Sequence, residues 1–138
     1  MLGGPSVADA LLEPTVIYVR AVLDLLRSDI PVHGLAHITG GGVRNLLRLG
    51  GGRIGFAIDA PLPAPPVFGL VARLGAVSDA EMWEVFNMGC GFVAVVPAER
   101  VDEAAALLGG RHPGAALIGR VTADGGRVSV AGLTFAGA

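Results

Sequence analysis

The stretch His37-Ile38-Thr39-Gly40-Gly41-Gly42-Val43-Arg44-Asn45 holds the densest set of groups able to do chemistry in this 138-residue chain. Three consecutive glycines let a backbone turn tightly and come close to a ligand. A helix beginning after them would present backbone N–H groups to an anion. His37, Thr39 and Asn45 add side-chain donors around that point. His37 is a candidate acid/base or phosphate donor near neutral pH, beside the plainer role of a structural histidine. The plain alternative for the whole loop is a tight connection between two elements.

Other positions carry weaker signals. Asn87 and Gly89 follow a helical segment. The Asn87 amide can hydrogen-bond a ligand, or can cap that helix in a left-handed conformation. Asp59 ends a strand-like run and is a candidate metal or ligand contact, with a turn carboxylate as the commoner role. Cys90 lies between two glycines with no evident base beside it, which favours packing over reactivity. His33 and His37 have the i, i+4 spacing of a helical metal pair, but Gly34 argues against a helix there and no third ligand is evident. No metal ligands are assigned. His112, next to Pro113, is expected in a solvated loop. Trp83 and Phe86 share a helix face, as core residues do. Gly40 to Asn45 lacks the spacing and lysine of a P-loop. Gly89-Cys90-Gly91-Phe92-Val93-Ala94 fits G-x-G-x-x-A, but a helix precedes it and a strand follows, the reverse of the dinucleotide-binding order.

Composition narrows the classes. The chain is 52% hydrophobic and 16% charged, enough apolar material for one packed domain. A net charge of −2 gives no electrostatic case for nucleic acid or an anionic membrane surface. All ten basic residues are arginine, which excludes a Schiff-base or P-loop lysine within these residues. The single cysteine excludes an internal disulfide and fits a reducing compartment. No apolar run reaches the length of a membrane span.

The elements that must position these groups follow from pattern. Residues 1–12 read as a leader or linker. Glu13-Pro14-Thr15 is a helix start, with apolar spacing running to Leu26 and an end by Ser28. Residues 32–39 are extended, residues 43–49 helical, and Gly50-Gly51-Gly52 closes that helix. Residues 54–58 alternate as a strand. The proline-rich residues 61–66 are extended or turned. Helices are expected at 67–74, at about 78–86 with Ser78-Asp79-Ala80-Glu81 as a capping box, and at 97–108. Residues 92–96 are a buried strand. Residues 116–122 and 127–135 read as two strands of a hairpin turning at Ala123-Asp124-Gly125-Gly126. The mixture predicts an α+β fold, a layered α/β sandwich with a mixed β-sheet.

Several of these residues form an ordered set. They are Leu11-Leu12-Glu13-Pro14-Thr15-x-Ile17-Tyr18-Val19, then His37 to Gly42 with Asn45, then Pro65-Pro66-Val67-Phe68. Glu81-Met82-Trp83-x-Val85-Phe86-Asn87-Met88-Gly89-x-Gly91 and Ile118-Gly119 complete it. Together they resemble the C-terminal half of the phosphoribosylformylglycinamidine cyclo-ligase family, also called aminoimidazole ribonucleotide synthetases. Related nucleotide-dependent families rank below it. They are formylglycinamidine ribonucleotide synthase, selenophosphate synthetase, thiamine-monophosphate kinase and a hydrogenase-maturation protein. They are not expected to carry both the H-I-T-G-G-G and F-N-M-G blocks.

The resemblance implies residues 13–138 as the family's C-terminal domain, with its N-terminal domain not encoded in the chain. It implies a cytoplasmic purine-biosynthesis ligase using ATP and magnesium, both held mainly by the missing domain. The implied substrate is formylglycinamidine ribonucleotide, and the full-length form is expected to be a homodimer. His37 is then the tentative catalytic residue. Thr39, Gly40, Gly41, Gly42, Asn45, Asn87 and Gly89 are the substrate- or phosphate-facing set. The domain alone is expected to be inactive. A non-catalytic anion- or partner-binding domain, or a split subunit, is the alternative.

Overall fold

A computed structural model describes residues 6–137. The strands form two sheets. The smaller is an antiparallel pair, β1 (Gly34–His37) and β3 (Phe92–Val95), with His37 opposite Phe92. The larger contains β2 (Gly55–Ile58), β4 (Gly119–Thr122), β5 (Arg127–Val130) and β6 (Leu133–Ala136). Its order is β4-β2-β5-β6, with β2 antiparallel to β4 and parallel to β5. The expected α+β fold with a mixed sheet is therefore present.

The hairpin expected at residues 123–126 is not formed between its two flanking strands. β2 lies between them. The connection crosses the end of β2, where the Gly126 amide donates to the Ile54 carbonyl at 3.0 Å. The true hairpin is β5–β6. It turns at Ala131-Gly132, both in the left-handed region at φ 51° and 78°. Two such residues are what a tight hairpin following strand twist requires. The expected single strand over 127–135 is thus two strands.

Helices flank these sheets. They are α1 (Val7–Leu11), α2 (Val19–Arg27), α3 (Pro66–Gly75), α4 (Asp79–Val85) and α5 (Val101–Gly109). α1 falls inside the expected leader. Ser6 and Asp9 form a reciprocal capping box that supports this single turn locally. α2 begins at Val19 rather than at Pro14. Residues 13–17 stay exposed and non-helical, and Tyr18 is held by contacts described below. α3 starts with Pro66 at its first position, and Ser78 caps α4 by accepting from the Glu81 amide.

Residues 42–52 form a 3₁₀ segment, kinked at Leu49 to Gly51, instead of an α-helix. The Asn45 amide side chain donates to the Gly42 carbonyl at 2.8 Å, drawing on an acceptor within the first turn. That competition tightens the turn.

One core joins the sheets. Ala36, Ile38, Val43, Leu46, Phe56, Val128 and Val130 are buried together. A second cluster, Leu25, Ile30 and Ala104, ties α2 to α5. Between the two clusters runs an apolar groove of about 200 Å³ whose lining has only Cys90 and Arg120 as polar side chains. Among the described residues no helix is long and apolar enough to cross a membrane.

Candidate functional site

Strand alternation builds the first part of the site. Ala36 and Ile38 point into the core, so His37 and Thr39 are exposed on the other side. The Ile38 amide still donates to Gly91 at 2.8 Å, holding the chain flat against β3 up to the glycines. The extended path puts His33 and His37 about 13 Å apart along the strand, which removes the helical metal-pair reading.

The amides of Thr39, Gly40 and Gly41 donate to no group among the described residues, and all three residues are exposed. Successive free N–H groups at a turn into a helix make a concavity suited to an anion. The three glycines differ in what the fold asks of them. Gly41 has φ 100°. Gly42 is buried, at φ 49°, and a Cβ there would overlap the Trp83 carbonyl oxygen and stand 2.8 Å from that of Phe86. Gly40 would meet nothing within 4 Å. Only Gly40 is thus left without a demand from the protein itself.

Asn45 faces the protein rather than solvent. It is 3% exposed, and its amide nitrogen donates to the carbonyls of Gly42 at 2.8 Å and of Thr39 and Gly40 at 3.4 Å. Asn45 therefore shapes the loop. Its Oδ1 is buried without a partner among the described residues.

Asn87 lies behind the loop, whereas Gly89 faces the proline-rich segment. Asn87 lines a cavity of about 20 Å³ with Ile38 and Val43. Its Oδ1 accepts from the Gly89 amide at 3.0 Å, so that oxygen serves its own turn. The left-handed residues there are Met88 at φ 47° and Gly89 at φ 92°, not Asn87. A Cβ on Gly89 would stand 2.8 Å from the Pro63 carbonyl oxygen, so this glycine admits the proline-rich segment. Asp59 is ion-paired with Arg120 on β4 at the exposed surface.

An aromatic cluster beside His37 was not legible in the sequence. Tyr18 lies 5.3 Å from Phe92, 5.3 Å from His112 and 5.9 Å from His37, between ring centroids. His112, expected to be solvated, is half-buried against Tyr18, with its amide bonded to Leu108 at the end of α5. Burial raises the Tyr18 phenol above its usual range, with a smaller push from Cys90. Burial likewise raises the Cys90 thiol, against a lowering contact with the Phe92 carbonyl. A raised thiol pKa opposes nucleophilic use, and the packing role of Cys90 stands. Trp83 packs on the main core and Phe86 stacks on Phe68 at 5.8 Å, as core residues do.

Residues 2–131 match the family model described as AIR synthase related protein, C-terminal domain. The chain belongs to that family. Curated relatives of this AIR synthase related domain are named phosphoribosylformylglycinamidine cyclo-ligase. The protein of Methanothermobacter thermautotrophicus is 48% identical over 130 residues, covering 94% of this chain and 37% of that protein. The protein of Thermococcus gammatolerans is 49% identical over 123 residues, covering 89% and 35%. The domain spans about a third of the length of the relatives it matches. Among solved structures, Escherichia coli HypE, a hydrogenase maturation protein, matches with a TM-score of 0.60 at 25% identity, covering 88% of this chain and 38% of that one.

Proposed function

We propose that this domain supplies the phosphate-facing half of an ATP-dependent cyclo-ligase that converts formylglycinamidine ribonucleotide to aminoimidazole ribonucleotide in purine biosynthesis. The observation that carries it is the row of free amides at Thr39, Gly40 and Gly41 beside His37, in a chain whose relatives bear that enzyme's name.

In this reading ATP phosphorylates the formyl amide oxygen. An amidine nitrogen then attacks the activated carbon, closes the imidazole ring and expels phosphate, leaving ADP as the other product. Such a step depends on positioning and charge stabilisation rather than on a protein nucleophile. The loop amides bind a phosphate group, and His37 donates a hydrogen bond or a proton beside them. In this reading magnesium and most of the nucleotide contacts belong to the remainder of the enzyme, which also supplies the cytoplasmic homodimer's other contacts.

Calorimetric titration of ribose 5-phosphate into the chain tests the site. His37→Ala should weaken binding about tenfold, the worth of one hydrogen bond to a charged group, and Gly40→Val should weaken it by crowding the phosphate's approach to the loop. Gly40 is the right glycine to change, because Gly41 at φ 100° would report on folding instead. Unchanged affinity in both variants sinks the assignment. A coupled ADP-release assay on the chain alone should show no turnover. Robust turnover would refute the division of the site between two domains.

A further inference from the structure

The His37 imidazole packs at one corner of a triangle of rings with Phe92 and Tyr18. Phe92, its cross-strand partner, lies 6.0 Å away, and Tyr18 meets it edge-on at 5.9 Å with the planes 67° apart. An exposed strand-end histidine otherwise samples several rotamers. Ring contacts of this geometry favour one of them.

Tyr18 is itself held at three points: against Phe92, against His112, and by its hydroxyl at Gly91. A Cβ on Gly91 would overlap the Tyr18 hydroxyl and stand 2.9 Å from its Cζ. The absent side chain at Gly91 is thus a seat for the tyrosine. Gly91 has no positive φ that would call for glycine on its own account. The same residue accepts the Ile38 amide, so the tyrosine and the glycine loop share one anchor.

We propose that Tyr18, seated at Gly91, is a positioning residue that holds the His37 imidazole toward the anion bound at residues 39–41. The inference rests on the phosphate-loop reading above. Tyr18 touches no phosphate in this scheme and acts only through His37.

The test is a double-mutant cycle on the 138-residue chain, read by calorimetric titration of inorganic phosphate. Tyr18→Leu and His37→Ala should each weaken binding about tenfold, and the double variant should be no weaker than either single one. Tyr18→Phe, which keeps the ring but loses the hydroxyl seated at Gly91, should bind with an affinity between those of Tyr18→Leu and the parent chain. Where Tyr18→Leu fails to fold, Gly91→Ala replaces it in the cycle, since it keeps all the rings but fills the seat. Additive losses, or full affinity in Tyr18→Leu, overturn the proposal while leaving the loop reading intact. Full affinity in His37→Ala overturns the loop reading, and the proposal with it.

Discussion

A Cβ added to Gly42 would overlap the carbonyl oxygen of Trp83. The C-terminal turn of α4 therefore rests directly on the glycine loop. Gly42→Ala should destabilise the domain by about 3 kcal/mol, through both steric overlap and the left-handed φ. Gly40→Ala, with open space around it, should stay within about 0.5 kcal/mol of the parent. Urea unfolding of the two variants checks the contrast. Equal losses would show that the loop and α4 are not packed as described.

Asn45 makes a second, chemically different prediction. Its amide nitrogen faces three carbonyls. Asn45→Ala should cost about 1–3 kcal/mol, chiefly by removing the bond to the buried Gly42 carbonyl. Asn45→Asp should cost more at neutral pH, because a buried carboxylate would confront the same oxygens. If Asn45→Asp is as stable as the parent at pH 7, the amide orientation is wrong.

Alkaline pH should weaken the fold through Cys90. Its folded-state pKa is raised by burial above the ordinary value of 9.0. Ionisation is then harder in the folded chain than in the unfolded one. The associated stability is fully present below pH 9 and is lost as pH rises through the folded-state value. Tyr18, also raised, extends the loss further up the scale. Urea midpoints measured between about pH 7 and 10.5 should fall at the upper end. Cys90→Ala should move the onset upward. An identical profile in that variant would remove the thiol from the account.

The β5–β6 turn offers a gain. Ala131 sits at φ 51°, a conformation that costs an L-residue with a Cβ. Asn tolerates it, and Asn-Gly is the favoured pair in such turns. Ala131→Asn should add about 0.5–1 kcal/mol, raising Tm by about 2–4 °C for a domain of this size. A lower Tm would mean that the turn is not of this type.

What the sequence made legible was local. Ser78 announces α4, Pro66 opens α3, and residues 54–58 alternate as a strand because each signal acts within a few residues. The order of motifs also located the glycine loop and its family. The misread features depend on distant partners. Tyr18, just before α2, packs at Gly91, more than seventy residues away. His112 leaves solvent to meet the same tyrosine. Asn45 and Asn87 also make local bonds that residue type alone does not reveal: Asn45 Nδ2 donates to loop carbonyls, and Asn87 Oδ1 accepts from the Gly89 amide.

The insertion of β2 between β4 and β5 also bears on synthesis. On the ribosome, β2 emerges more than sixty residues ahead of both its sheet partners. Until then the buried edge of Phe56 and Ala57 has no ladder to join. Non-local pairing of this kind slows folding and prolongs exposure of an unpaired strand. Synthesis of β4, β5 and β6 is thus the step that closes the sheet around β2. A protein stalled or cut before Val128 would present a sticky strand in place of a finished sheet.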